Sequence, residues 1–140
     1  MFVESRDEAR AFFHRVWRRM AADEPLEPLE SLVAGVIRAH PEYHAVLADP
    51  AQGGFDDAEP TVNPFLHMGL HIALAEQLQT DRPDGVRDAY RQTVERYAGD
   101  VHEAEHHMMD QLGRELWRAS RDGIPPDAAR YLDEVRRSLA

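Results

Sequence analysis

HEAEHHMMDQLG, residues 102–113, and NPFLHMGLH, residues 63–71, decide how this chain is read. Each carries a His-x-x-x-His pair inside a helical pattern, His102 with His106 and His67 with His71. Residues four apart on an α-helix lie one above the other on the same face, so each pair can direct two imidazoles at one ion. At about 100° per residue, Val101, Met108, Met109, Leu112, Leu116 and Ala119 form the apolar sector of the later helix. Glu105 falls inside that sector, and His102 and His106 lie along its edge. A carboxylate among core positions is costly unless it is paired or bound to a metal. On the earlier helix Leu66, Met68, Leu70, Leu74, Ala75 and Leu78 surround His67 and His71, which are therefore expected to point inward.

Outward from these stretches the rest of the chain also reads as helix. Asn63 as N-cap and Pro64 at the first helical position open a helix expected to run to about Gln79. The turn TDRPDG leads to a helix from about Pro83 to Ala98, buried through Val86, Ala89, Tyr90, Val94 and Tyr97 and ended by Gly99. Asp100 caps the next helix, and Gly123, Pro125 and Pro126 separate it from a last one carrying Tyr131, Leu132, Val135 and Leu139. Toward the N-terminus, Ser5 with Glu8 forms a capping box for a helix through about Met20. Its buried stripe is Ala9, Phe12, Phe13, Val16, Trp17 and Met20, which leaves His14 on the polar side, facing solvent.

After the proline-stiffened EPLEPLE, the residues Leu29, Leu32, Val33, Val36 and Ile37 define a helix that should break near His40, because Pro41 denies a backbone donor. A further turn or two reaches Leu47. Residues 48–63 show no periodicity and read as a loop, either a lid or a surface excursion. With no strand and no repeat, the expectation is an all-α protein: an up-and-down helical bundle of about five to six helices, forming one domain over residues 1–140.

Connectivity brings the two pairs together. Short connections make successive helices antiparallel, so the helices opening at Asn63 and Asp100 should start at the same end of the bundle. His67 and His71 lie four and eight residues after their cap, and His102 and His106 two and six after theirs. At 1.5 Å per residue, the depths differ by only about 3 Å. A third pair, His40 and His44, is interrupted by Pro41. His40 is expected to cap the short following helix, and His44 to point inward beside Leu47 as a further ligand candidate.

Composition narrows the chemistry. The chain has 140 residues, a formal charge of −10, eight histidines and no cysteine. Without thiolates there are no disulfides and no iron–sulfur ligands, so a metal must be held by nitrogen and oxygen. The acidity argues against nucleic acid or an anionic membrane as partner. No apolar run approaches the roughly 18 residues of a membrane span. The acidic opening lacks a signal-peptide pattern, and the cytoplasm is the expected location.

The candidate metal ligands are His67, His71, His102, Glu105 and His106, with His44 as a further one, for one or two divalent ions. Zinc or iron suits this donor set first, and manganese, nickel and cobalt also fit. A helix N-terminus favours neutral, ligating imidazole but opposes a cation, which an anionic Glu105 would offset. The leading reading is a metal-binding protein with a redox, storage or sensing role. An alternative is a metal-dependent hydrolase in which HEAEH acts as an H-E-x-x-H motif with Glu103 as general base. Glu103, however, also lies three residues after Asp100, where a capping-box glutamate belongs, and on the polar side. A third reading is a structural helical adaptor whose histidines are hydrogen-bonded core residues. His107 faces outward and is read as a solvent residue.

FFHRVW (12–17), EPLEPLE (24–30), HPEYH (40–44), NPFLHMGLHIALAEQLQTDRPDGVR (63–87) and HEAEHHMMDQLG together resemble the bacterial domain-of-unknown-function family DUF1841 over nearly the full length. That resemblance implies a common fold and a His-rich core, with no mechanism attached. Hemerythrin-like, ferritin-like and DinB-like bundles also mount histidines on facing helices. The spacings here match neither the hemerythrin nor the ferritin signature.

Overall fold

The computed structural model describes residues 6–49 and 63–139, and within them all regular structure is helical. The elements are α1 (Arg6–Ala21), α2 (Pro28–Arg38), a 3-10 turn (Pro41–Tyr43), α3 (His44–Ala48), α4 (Pro64–Thr80), α5 (Val86–Arg96), α6 (Val101–Asp122) and α7 (Ala128–Arg137). The all-α bundle expected from the sequence is what these residues form. The helix count among them is higher than expected because the break at Pro41 leaves α3 as a separate short helix. They divide into two compact units, one up to Ile72 and one from Ala73, and the boundary falls inside α4. Ser5 and most of the expected loop at 48–63 lie outside the described residues.

The first unit is built on an apolar cluster. Phe13 and Val16 come from α1, Val33, Ala34 and Ile37 from α2, Leu47 from α3, and Phe65, Met68 and Ile72 from α4. Burying a side chain of this size stabilises the fold by about 1.5–3 kcal/mol. Asn63 starts α4 as expected: its Oδ1 accepts from the backbone N–H of Phe65 at 3.0 Å and of Leu66 at 3.2 Å. Glu30, buried on α2, accepts from Glu27 N–H at 2.9 Å and pairs with Arg19 of α1 at 2.9 Å.

His14 is not a solvent residue. It is 6% exposed, its Nδ1 lies 2.8 Å from the Leu47 carbonyl, and its ring packs on Phe65. The periodicity of α1 alone predicts one buried side, but α1 packs against both α2 and α3, so its second face is covered as well.

In the second unit α5, α6 and α7 pack pairwise against one another. Their buried residues include Val86, Ala89, Met108, Leu112, Leu132 and Val135. Asp100 caps α6 through the Glu103 N–H at 3.2 Å, and Asp127 caps α7 through the Arg130 N–H at 3.1 Å. Gly123 ends α6 in the left-handed region, φ 68°, as its place before Pro125 and Pro126 suggests. Val101 and Leu116, expected in the apolar sector of α6, are 46% and 41% exposed, whereas Ala104 and Glu115 are buried.

Two polar networks lock α7 in place. Glu115 of α6 is 2% exposed; it accepts from Asp127 N–H at 2.8 Å and from Arg130 Nε and Nη2 at 2.9 and 3.0 Å. The Arg130 guanidinium holds this carboxyl down to about 2. The second network runs through His107, which is no solvent residue either. Its Nδ1 is 2.9 Å from the Tyr97 hydroxyl, and its Nε2 is 2.8 Å from Ser138 Oγ and 3.3 Å from the Val135 carbonyl. A carbonyl can only accept, so Nε2 carries the proton and Nδ1 accepts from the Tyr97 hydroxyl. Ser138 in turn donates to the Glu134 carbonyl at 2.6 Å. In that polarity Nε2 has no lone pair with which to take the serine proton, and the network is a structural tie.

Candidate metal centre

The first turns of α4 present His67 and His71 on one face, as their spacing requires. The third partner is His40, at the corner between α2 and the 3-10 turn. Each of the three offers a ring nitrogen, and these atoms lie within 4.8 Å of one another. The ring centroids form a near-equilateral triangle: 5.0 Å from His40 to His67, 4.7 Å from His40 to His71, and 4.9 Å from His67 to His71. All three pairs meet edge to face. No carboxylate belongs to the group.

His40 is 4% exposed. Its Nδ1 lies 2.8 Å from the Val36 carbonyl and must donate to it. The lone pair is thereby fixed on Nε2, which is buried without a hydrogen-bond partner. A histidine whose far nitrogen is tied to a carbonyl is how proteins set the tautomer of a metal ligand. An unpaired buried acceptor otherwise costs about 1–3 kcal/mol, and coordination is one chemistry that satisfies it. Tyr43 stacks on the His40 ring, centroids 5.3 Å apart with planes 2° from parallel, and meets His67 edge-on at 6.1 Å. Burial, with the Glu42 carboxylate adding to it, pushes the Tyr43 phenol up, so it remains neutral.

His44, offered by the sequence as a ligand, is not brought into this group. Its Nε2 lies 2.9 Å from the Ile37 carbonyl and its ring packs on Trp17 at 4.7 Å. The reason is the corner at Pro41. His40 leaves the helical region, at φ −126° and ψ 66°, so residues 40 and 44 do not share a helical face. From the sequence His40 reads first as a cap of the short helix and ranks behind His44 as a neighbour of the site. The usable signal was its place before a proline, where the backbone is pushed out of the α region and a side chain can be turned away from its helix.

On α6, His102 and His106 do face each other, with ring centroids 4.1 Å apart. His102 is exposed and His106 half-buried. Glu105 is half-buried, and burial raises its carboxyl above the ordinary value, with the neighbouring His102 opposing the shift. Glu105 shares the helix face of the buried Met109 and Leu112, yet it is itself only half-buried. Nearby, burial and then the Glu105 charge push the Tyr90 phenol up. Glu103 is exposed, with its backbone N–H bound by Asp100. No helix among the described residues is long and apolar enough to cross a membrane.

Residues 5–137 match a family model described as "Domain of unknown function (DUF1841)". No curated protein and no solved structure matches the chain.

Proposed function

The chain belongs to the DUF1841 family, and we propose that it is a metal-binding protein whose centre is a tris-imidazole site, His40, His67 and His71, for a divalent ion. The observation that carries this reading is the buried, unpartnered Nε2 of His40 beside the ring nitrogens of His67 and His71. Neutral imidazoles suit zinc, iron, nickel and cobalt; magnesium and calcium prefer oxygen. Zinc or iron is the ion we assign, in a redox, storage or sensing role.

Elemental analysis of untagged protein purified without chelator tests the proposal. We expect about one ion per chain, lost in His71→Ala and in His40→Ala, as required when each ligand supplies a large share of the binding energy. Native protein that stays metal-free after reconstitution with zinc and with ferrous iron would remove the reading. The sequence also names His102, His106, Glu105 and His44 as donors. A His106→Ala variant that keeps its ion would confine the centre to the three histidines.

A further inference from the structure

The HPEYH corner, residues 40–44, does more than supply the ligand His40. His40 is held on three sides: the Val36 carbonyl accepts a hydrogen bond from its Nδ1–H, Tyr43 stacks on its ring, and the turn carrying it is latched by His44, whose Nε2 reaches the Ile37 carbonyl at the end of α2. The latch is itself clamped, because the His44 ring packs on Trp17 of α1. The corner needs this support. The backbone at His40 is outside the helical region, and Pro41 can give no hydrogen bond to hold the turn to α2. The backbone bonds at the corner include His40 N–H to the Ile37 carbonyl at 3.1 Å, Tyr43 N–H to the His40 carbonyl at 3.0 Å and His44 N–H to the Pro41 carbonyl. None of these fixes the imidazole plane. Tyr43 does so through the parallel stack, and His44 fixes the turn on which Tyr43 rides.

We propose that Tyr43 and His44 are positioning residues that preorganise His40 for the ion, a role that rests on the metal-binding reading above. They touch His40 or its turn and contribute no donor atom. The geometry divides the labour of the motif: the first histidine ligates, the tyrosine sets its plane, and the second histidine anchors the turn. Preorganisation matters because a free imidazole at a helix break would otherwise have to be ordered at the moment of binding, which weakens affinity.

The test is a competition titration of the full chain with Co²⁺, read by affinity and by the ligand-field absorption of the bound ion, with the melting temperature of the metal-free protein measured alongside. Tyr43→Phe keeps the ring plane and should retain both the affinity and the spectrum. Tyr43→Leu keeps bulk without a plane and should weaken Co²⁺ by about 10–100-fold, the usual loss when an outer-shell partner is removed, and shift the absorption. His44→Ala should lose affinity similarly, and His44→Gln, whose amide can donate to the Ile37 carbonyl, should regain it. Wild-type affinity and spectrum in both Tyr43→Leu and His44→Ala would overturn the proposal. If Tyr43→Leu loses its helical circular dichroism, the His44 pair decides: loss followed by rescue supports the proposal, and equal affinity overturns it. If His40→Ala itself binds Co²⁺ as tightly as wild type, the assignment of His40 as a ligand fails, and this role with it; silence of the wild-type protein toward Co²⁺ would remove the centre as a whole.

Discussion

Glu115 shows what one side chain can decide in the second unit. Its carboxylate is buried and receives the two-pronged Arg130 guanidinium together with a backbone N–H at the start of α7. Because its folded-state value, about 2, lies below the ordinary 4.5, its contribution is fully present above 4.5 and is lost as pH falls through about 2. Glu115→Gln should therefore cost about 1.5–3 kcal/mol at neutral pH, the range for a hydrogen bond to a charged group. It should also flatten the acid limb: between pH 4.5 and 2 the variant should lose less stability per pH unit than wild type, as followed by urea melts. Parallel acid limbs would mean that other carboxylates carry the acid sensitivity.

At the level of elements, caps and breaks were legible and lateral packing was not. Asn63-Pro64, Asp100 and Gly123 start or stop helices through their own side chains or backbone freedom, so their effect is local and readable. Asn63→Ala should accordingly lower stability by about 1 kcal/mol in a chemical melt, the usual value of an N-cap. No change would indicate that water replaces the cap. The pair His67 and His71 was legible for the same local reason, since both sit on one uninterrupted helix. His40 and His44 have the same spacing across a proline. Their fates differ because of the turn at Pro41 and because His44 packs on Trp17 of α1, a contact with another helix that no local window contains. His14 is illegible for the same reason, because α3 covers a face of α1 that looks polar when α1 is taken alone. Glu105 is a third example: a position within an apolar arc becomes core only where a neighbour arrives to cover it.

On the scale of the whole chain, the boundary between the two units lies within α4 and not in a linker. A continuous helix transmits unfolding from one side to the other, and we expect a single thermal transition with coincident near- and far-ultraviolet signals. Two separated transitions would show independent units. An ion bound to the folded state alone should raise stability by about 2.7 kcal/mol at a free concentration one hundred times its dissociation constant, visible as a concentration-dependent melting temperature that a chelator reverses. Beyond this linkage, the triangle of imidazoles joins parts of the chain that are distant in sequence: His40 closes α2, whereas His67 opens α4. In a protein without cysteine, an ion held by both would act as a cross-link, tying off the intervening chain much as a cystine would. This bridge would be cut by acid or a chelator and would be indifferent to reductant.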